Sequence, residues 1–139
     1  MESQIRANAE LVRTVARENL DLDVEYDEAG VQWLDGYIDR QRENNDDQSV
    51  KDRLPSRLGS FLGECVRATY GGQWIEDPQM GWAVKVNEKL TVYPFNKVRK
   101  QLSNAEGDSV LSFFRTIPAL LQGKPTRAAA PKRPWWKFW

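Results

Sequence analysis

The sequence contains no histidine and only one cysteine, Cys65. Histidine is the commonest general base near neutral pH and the commonest metal ligand, so its absence excludes most familiar hydrolase sites. A single cysteine cannot form a disulfide within the chain, and scarce thiols suit a reducing compartment. We therefore expect a cytoplasmic protein that needs neither a metal nor a cofactor.

Long apolar runs are also lacking. No stretch approaches the roughly 18 uninterrupted apolar residues of a membrane-spanning helix. Residues 1–19 are studded with Glu and Arg, which is unlike a secretory signal. Any contact with a membrane is therefore expected to be peripheral, on its inner face.

Acidic and basic residues are equal in number but unevenly distributed. The chain has 20 of each among its 139 residues, a size that suits one globular domain. Five basic residues and no acidic one follow position 123, so residues 1–123 carry a formal charge of −5. An acidic body would oppose a polyanion, and we expect no nucleic-acid partner.

Apolar residues at helical spacing predict helices on both sides of a central segment. In the first helix Ile5, Ala9, Val12 and Ala16 form the stripe, with Leu11 and Val15 beside it. The first two predicted helices cover about residues 3–19 and 31–43, and the third runs from Pro55 to the stop at Gly71-Gly72. One or two helical turns are predicted around Val98 and Leu102. The last predicted helix is capped by Asp108 or Ser109 and ends at Pro118 or Leu121.

The third helix carries Gly59 and Gly63 four residues apart. Glycines at this spacing lie on one face and let another element approach the backbone closely. We therefore expect this helix to lie centrally beneath a sheet.

The periodicity changes from helical to alternating after Gly72. Three short strands are predicted over residues 74–77, 82–87 and 90–95, joined as an antiparallel meander. Leu20 to Tyr26 also alternate apolar with acidic residues, which favours a short strand or an extended segment, although the acids could instead cap the next helix. The fold class is α+β: N-terminal helices, a three- to four-stranded meander and a C-terminal helix, with one domain over residues 1–121.

Several short motifs resemble one family of small bacterial α+β domains of unknown function. They are the run over residues 58–64, Gly-Gly-x-Trp at 71–74, Pro-Phe followed by Val at 94–98, and the segment 108–114. The resemblance covers about residues 30–121. It implies a fold and brings no catalytic residues.

Three groups of residues could carry chemistry, and each also has a structural interpretation. Cys65 lies on the apolar face of its helix, which favours a buried small hydrophobe over a nucleophile. The only carboxylates that we can name for an enzyme without histidine are Glu64, Glu76 and Asp77. The acids of residues 21–27 could bind a hard cation but more often form a solvated face.

The aromatic residues of the meander could stack on a planar ligand, although such residues usually pack a sheet. They are Trp74, Trp82, Tyr93 and Phe95. Gly71-Gly72 follows a helix and precedes a strand, the reverse of a phosphate loop.

The aromatic-basic tail, residues 122–139, is the strongest functional signal. It begins as a linker with Gly123 and Pro125, and each large aromatic near its end can bury on the order of 150 Å². The expected membrane- or partner-binding residues are Lys132, Arg133, Trp135, Trp136, Lys137, Phe138 and Trp139.

We therefore expect a non-catalytic binding or adaptor domain that this tail attaches to an anionic membrane or to a partner protein. An acidic inhibitor or immunity-type protein that covers a basic partner is one alternative, and a carboxylate-only enzyme is another. The tail could also fold back into a groove of its own domain.

Overall fold

Three helices precede the sheet and two follow it in the computed structural model, which describes residues 1–44, 47–103 and 109–122. The elements are α1 (Glu2–Leu20), α2 (Glu28–Asn44), α3 (Gln48–Tyr70), β1 (Gln73–Asp77), β2 (Gly81–Lys85), β3 (Thr91–Val92), α4 (Pro94–Ser103) and α5 (Val110–Leu121). The predicted α+β class is confirmed, with helices first, a three-stranded antiparallel meander in the middle and a helix last.

Helix α1 follows the predicted stripe. Ile5, Ala9, Val12 and Ala16 are buried, and the helix packs against α3. Asp21 ends it in the left-handed conformation with φ of 55°, and its N–H donates to the carbonyl of Ala16.

The segment after α1 is extended but is not a strand. Arg13 Nε donates to the Val24 carbonyl at 2.8 Å, so an α1 side chain, rather than a neighbouring strand, satisfies this backbone group. Val24 is buried, whereas Leu20 and Leu22 are exposed. Asp27 caps α2, because its carboxylate accepts from the Gly30 N–H at 2.8 Å. The extended and capping interpretations are confirmed, and the strand is wrong.

Helix α3 begins seven residues before Pro55, so the predicted start at this proline is wrong. Asp47 is the N-cap, and its carboxylate accepts from the Ser49 N–H at 3.0 Å. A proline inside a helix removes one backbone hydrogen bond, but Pro55 is buried and the helix continues through it. It ends at Gly71, with φ of 87°, as predicted.

The sheet has the order β1-β2-β3, with both pairs antiparallel. Val84 is the central buried position, opposite Trp74 on one side and Val92 on the other. Strand β3 is shorter than predicted because Pro94 begins α4, where its fixed φ suits the first helical position and its missing N–H costs nothing.

The glycines of α3 admit close neighbours, as predicted, and these neighbours are two aromatic rings. A Cβ on Gly63 would lie 2.1 Å from Trp74 Cη2, and one on Gly59 would lie 2.4 Å from Phe95 Cδ1. The two rings contact each other, with centroids 5.7 Å apart. The sheet and α4 are therefore held directly against the backbone of α3.

A buried side chain of α4, Gln101, connects three helices. Its Nε2 donates to carboxylate oxygens of Asp35 and Asp39 on α2, each at 3.0 Å, and its Oε1 accepts from the Val110 N–H at 2.8 Å. Ser109 caps α5 with its hydroxyl, as predicted. Asp108, the alternative cap, lies outside the described residues.

We expect Gly63→Ala to destabilise the fold by about 1–3 kcal/mol, because the new methyl group would overlap the Trp74 ring. Urea unfolding followed by circular dichroism measures this change. Gly36→Ala on α2 is the matched control: its nearest neighbour is the flexible end of Arg40 at 3.2 Å, so the better helix propensity of alanine should leave stability equal or raised by up to about 1 kcal/mol. Equal stabilities of both variants would contradict the close packing.

Candidate interaction site

Cys65 is fully buried among apolar residues of the core. Burial raises the pKa of its thiol well above the ordinary value, with smaller contributions from the carboxylates of Asp27 and Glu64. The interpretation of Cys65 as a buried hydrophobe is confirmed.

The three candidate carboxylates have separate surroundings. Glu64 accepts from Arg67 Nη1 at 2.7 Å and from Trp74 Nε1 at 3.0 Å, which fixes the ring that covers Gly63. Asp77 accepts from two backbone N–H groups in the β1–β2 turn. Glu76 is exposed on β1. Within residues 1–44, 47–103 and 109–122, no hydrogen bond joins these carboxylates to one another.

The acids of residues 21–27 are exposed, and two of them pair with arginines of α1. Arg17 contacts Asp23 at 3.1 Å, and Arg13 contacts Glu25 at 3.0 Å. The described part of the chain contains no group of three or more side chains placed to hold a metal ion. Arg13 also lies 5.2 Å from the ring centroid of Tyr26, whose pKa is raised mainly by burial.

The aromatic residues of the sheet divide between the core and its edge. Trp74 is buried against α3, and Phe95 belongs to α4 rather than to a strand. Trp82 and Tyr93 are half-buried, and the Tyr93 hydroxyl lies 3.5 Å from Asp77 Oδ2. The packing interpretation is confirmed for Trp74 and Phe95.

The predicted binding residues of the tail lie outside the described residues. They are Lys132, Arg133, Trp135, Trp136, Lys137, Phe138 and Trp139. No helix within the described ranges has the length and apolar character needed to cross a bilayer.

The structure reveals an apolar groove beside α1 that the sequence did not identify. The apolar surface of α1 is wider than its contact with α3, so Leu11 is 37%, Val15 38% and Leu20 45% exposed. The α1 groove has a volume of about 80 Å³. It is lined by Leu11, Val12, Val15 and Leu20 of α1, Trp33 and Tyr37 of α2, and Leu54, Arg57 and Leu58 of α3.

The α2 side of the α1 groove is aromatic and held in place by the core. Trp33 stacks on Tyr37 with centroids 5.3 Å apart, and it meets the buried Phe61 edge-on at 6.0 Å. Among the described residues, no acceptor lies within hydrogen-bond distance of the buried Trp33 Nε1. One side of the groove is therefore a pair of stacked aromatic rings that contacts the core.

The end of α1 that contains the groove residue Leu20 is acidic. Glu18 and Asp21 are exposed beside Leu20, and neither forms an ion pair with another described residue. The negative end of the helix dipole lies at the same place. Arg57 is the cation that lines the groove on the α3 side.

The position of Leu11 and Val15 beside the main stripe of α1 was the only sequence signal for this site. This signal indicated a wide apolar face on α1, but it could not show which side chains of that face stay exposed in the folded domain. Trp33 and Leu54 meet α1 only through the packing of three helices, so their part in the groove depends on the tertiary structure.

Cys65 should not react with a water-soluble disulfide reagent while the protein is folded, because its thiol is buried and its thiolate disfavoured. As the urea concentration is raised, the Cys65 thiol should react over the same range in which the protein unfolds. The absorbance of the released reagent group measures this reaction. Fast reaction of the native protein would contradict the structure.

Asp77→Asn should make the free energy of unfolding depend less on pH in the acid range. The Gln79 and Met80 N–H groups, with a smaller contribution from Tyr93, lower the pKa of Asp77 in the folded state. Folding therefore favours the charged form of Asp77. Its contribution to stability is complete above the unfolded pKa of about 4 and is lost as pH falls through the lower pKa of the folded state. Urea midpoints of both proteins between about pH 6 and pH 3 measure this difference. Parallel profiles would show that the turn does not depend on the charge of Asp77.

Comparison of the chain with protein-family models, curated proteins and solved structures finds no match. The resemblance of residues 30–121 to a family of small bacterial domains therefore stays a prediction. The α1 groove is interpreted from its own geometry and chemistry.

Proposed function

We propose that this protein is a non-catalytic binding domain that offers the α1 groove as a contact surface and is attached to an anionic membrane by its aromatic-basic tail. The observation that carries the proposal is the groove. Leu11, Val15 and Leu20 remain partly exposed around a concave site with an aromatic wall. A concave patch of apolar and aromatic side chains suits an apolar anchor residue of a partner.

The composition of the α1 groove supports binding. Trp, Tyr and Arg are the residues that most often contribute large free energies at protein interfaces, and the groove contains Trp33, Tyr37 and Arg57. The ring contacts of Trp33 with Tyr37 and Phe61 limit its motion, so little side-chain entropy is lost when a partner binds.

The polar groups of the described domain support a non-catalytic role. Glu64 positions Trp74, Asp77 shapes a turn, Asp27 caps a helix and Gln101 connects three helices. Cys65 is inaccessible. These side chains contribute to the fold, and none of them forms the nucleophile and base pair of covalent catalysis.

The tail sequence supports attachment to a membrane. Tryptophan favours the interface between lipid and water, and each basic residue near an anionic surface contributes about 1 kcal/mol. Three basic residues accompany the aromatics at Lys132, Arg133 and Lys137. Because residues 1–123 carry a formal charge of −5, the same surface would repel the domain and leave the tail as the contact.

The exposed acids at the end of α1 favour one alternative, an inhibitor or immunity-type protein that covers a basic partner. Glu18 and Asp21 would then form ion pairs across the interface, with the α1 groove as its apolar centre. In that case the tail would be dispensable, and binding to vesicles would be absent.

Co-sedimentation with vesicles of phosphatidylserine and phosphatidylcholine tests the membrane proposal. We expect the full chain to bind these vesicles, to bind phosphatidylcholine alone weakly, and to lose binding when residues 132–139 are deleted. Replacing Lys132, Arg133 and Lys137 with Gln should lower the partition coefficient by about two orders of magnitude, given about 1 kcal/mol for each charge.

A charge-matched control keeps this experiment specific. Replacing Lys51, Arg53 and Lys89 with Gln removes the same number of charges from the described domain and should change binding little. Equal losses in the two triple variants would show that general charge, rather than the tail, attracts the protein. Unchanged binding after deletion of residues 132–139 would eliminate the tail as the attachment.

A further inference from the structure

The α1 groove and the tail of the same chain have matching chemistry. The groove offers aliphatic residues of α1, the aromatic wall of Trp33 and Tyr37, and the guanidinium of Arg57. The tail offers Trp135, Trp136, Phe138 and Trp139. Indole rings pack favourably against both aromatic rings and guanidinium groups.

The acidic residues at the end of α1 also suit the basic tail. The five basic residues of the tail have no acidic neighbour within it, whereas Glu18 and Asp21 are exposed at the end of α1, close in sequence to the groove residue Leu20 and beside the negative end of the α1 dipole. Within the groove the charged residue is Arg57, which would meet the aromatic rings of the tail rather than its basic residues. A cationic peptide with aromatic residues is therefore suited to this end of the groove.

The chain is long enough to bring the two together. The Tyr70 hydroxyl donates to the Phe114 carbonyl at 3.1 Å, so the middle of α5 lies beside the end of α3. Leu58 lies in the groove twelve residues earlier on α3, a distance of about 18 Å at the helical rise of 1.5 Å per residue. The end of α5 at Leu121 lies seven residues, or about 10 Å, past Phe114, so the two helical stretches together come to about 28 Å. Residues 123–134 can span about 40 Å when extended, which is longer than these two stretches.

We infer that the α1 groove binds the tail of its own chain, and that this binding competes with attachment of the tail to a membrane. The inference rests on the proposed function only for its membrane part. The tail is exchanged between two sites: at the groove part of its aromatic surface is covered by the domain, and on the membrane its rings are covered by lipid. A ligand that occupies the groove would release the tail and promote attachment.

Leu11→Glu tests this inference in the full chain. The substitution places a charge in the groove at a position that is 37% exposed, where helix propensity is nearly unchanged. We expect release of the tail, measured in buffer as stronger acrylamide quenching of tryptophan emission. If the tail occupies the groove about 90% of the time, release should also increase vesicle affinity about tenfold, even though the substitution adds a negative charge.

Met80→Glu is the matched control. Met80 is 51% exposed in the β1–β2 turn, does not line the groove, and the substitution changes the charge of the protein by the same amount. Neither quenching nor vesicle binding should increase. If Leu11→Glu behaves like this control in both measurements, the inference is wrong.

Two further variants separate the emission of the tail from that of Trp33. In a chain with Trp135, Trp136 and Trp139 all replaced by Ser, Leu11→Glu should no longer increase quenching; an equal increase there would assign the signal to Trp33 and overturn the inference. Leu20→Glu, at a more exposed position of the same groove, should reproduce the effect of Leu11→Glu if the latter variant folds poorly by circular dichroism.

Two further measurements complete the test: quenching at different protein concentrations and quenching in buffer without lipid. Quenching should be constant over about a hundredfold range of protein concentration, because binding within one molecule does not depend on it. Quenching that rises on dilution would assign the groove to the tail of a second copy and overturn the inference. If no variant binds vesicles, the membrane proposal fails, while quenching in buffer still decides whether the groove binds the tail.

Discussion

The close contact of the sheet and α4 with the backbone of α3 is the constraint on which the rest of the structure depends. Gly59 and Gly63 leave no room for a Cβ, because Phe95 and Trp74 occupy that space. Glu64, one residue after Gly63, accepts a hydrogen bond from the Trp74 indole and so fixes the ring over the glycine. Since α3 also receives α1, α2 and α5 on its other sides, its position determines where every helix can pack.

The α1 groove is a consequence of that arrangement. Helix α1 covers α3 with Ile5, Ala9, Val12 and Ala16, which are small or medium-sized and allow close packing. Its neighbouring apolar side chains, Leu11 and Val15, then face a gap next to Trp33 of α2 and Leu54 of α3. No described element covers this gap, although the residues around it are as apolar as parts of the core. The proposed function assigns this exposed apolar surface to the binding of a partner.

The proposed function joins this surface with a tail of complementary composition. The polar groups that could have carried chemistry contribute to the fold instead: carboxylates cap helices and turns or pair with arginines, and the thiol lies in the core. Binding at the groove and attachment by the tail would use apolar contact and electrostatic attraction, which this chain has, and need no histidine, metal or reactive thiol. Competition between the two sites for the same aromatic side chains would make attachment of the protein respond to what occupies the groove.

The sequence by itself determined most of the elements, because helical spacing, capping residues and glycine stops act locally: α1, the end of α3 at Gly71 and the start of α5 at Ser109 were all predicted. It also predicted that Cys65 would be buried and that Gly59 and Gly63 would admit close neighbours. Only the tertiary structure decided that Asp47 rather than Pro55 starts α3, that Arg13 rather than a strand holds the segment around Val24, and that Gln101 connects three helices. The groove belongs to this second group. Its residues come from three helices distant in sequence, and whether an apolar side chain such as Leu11 is covered or left exposed depends on how those helices pack.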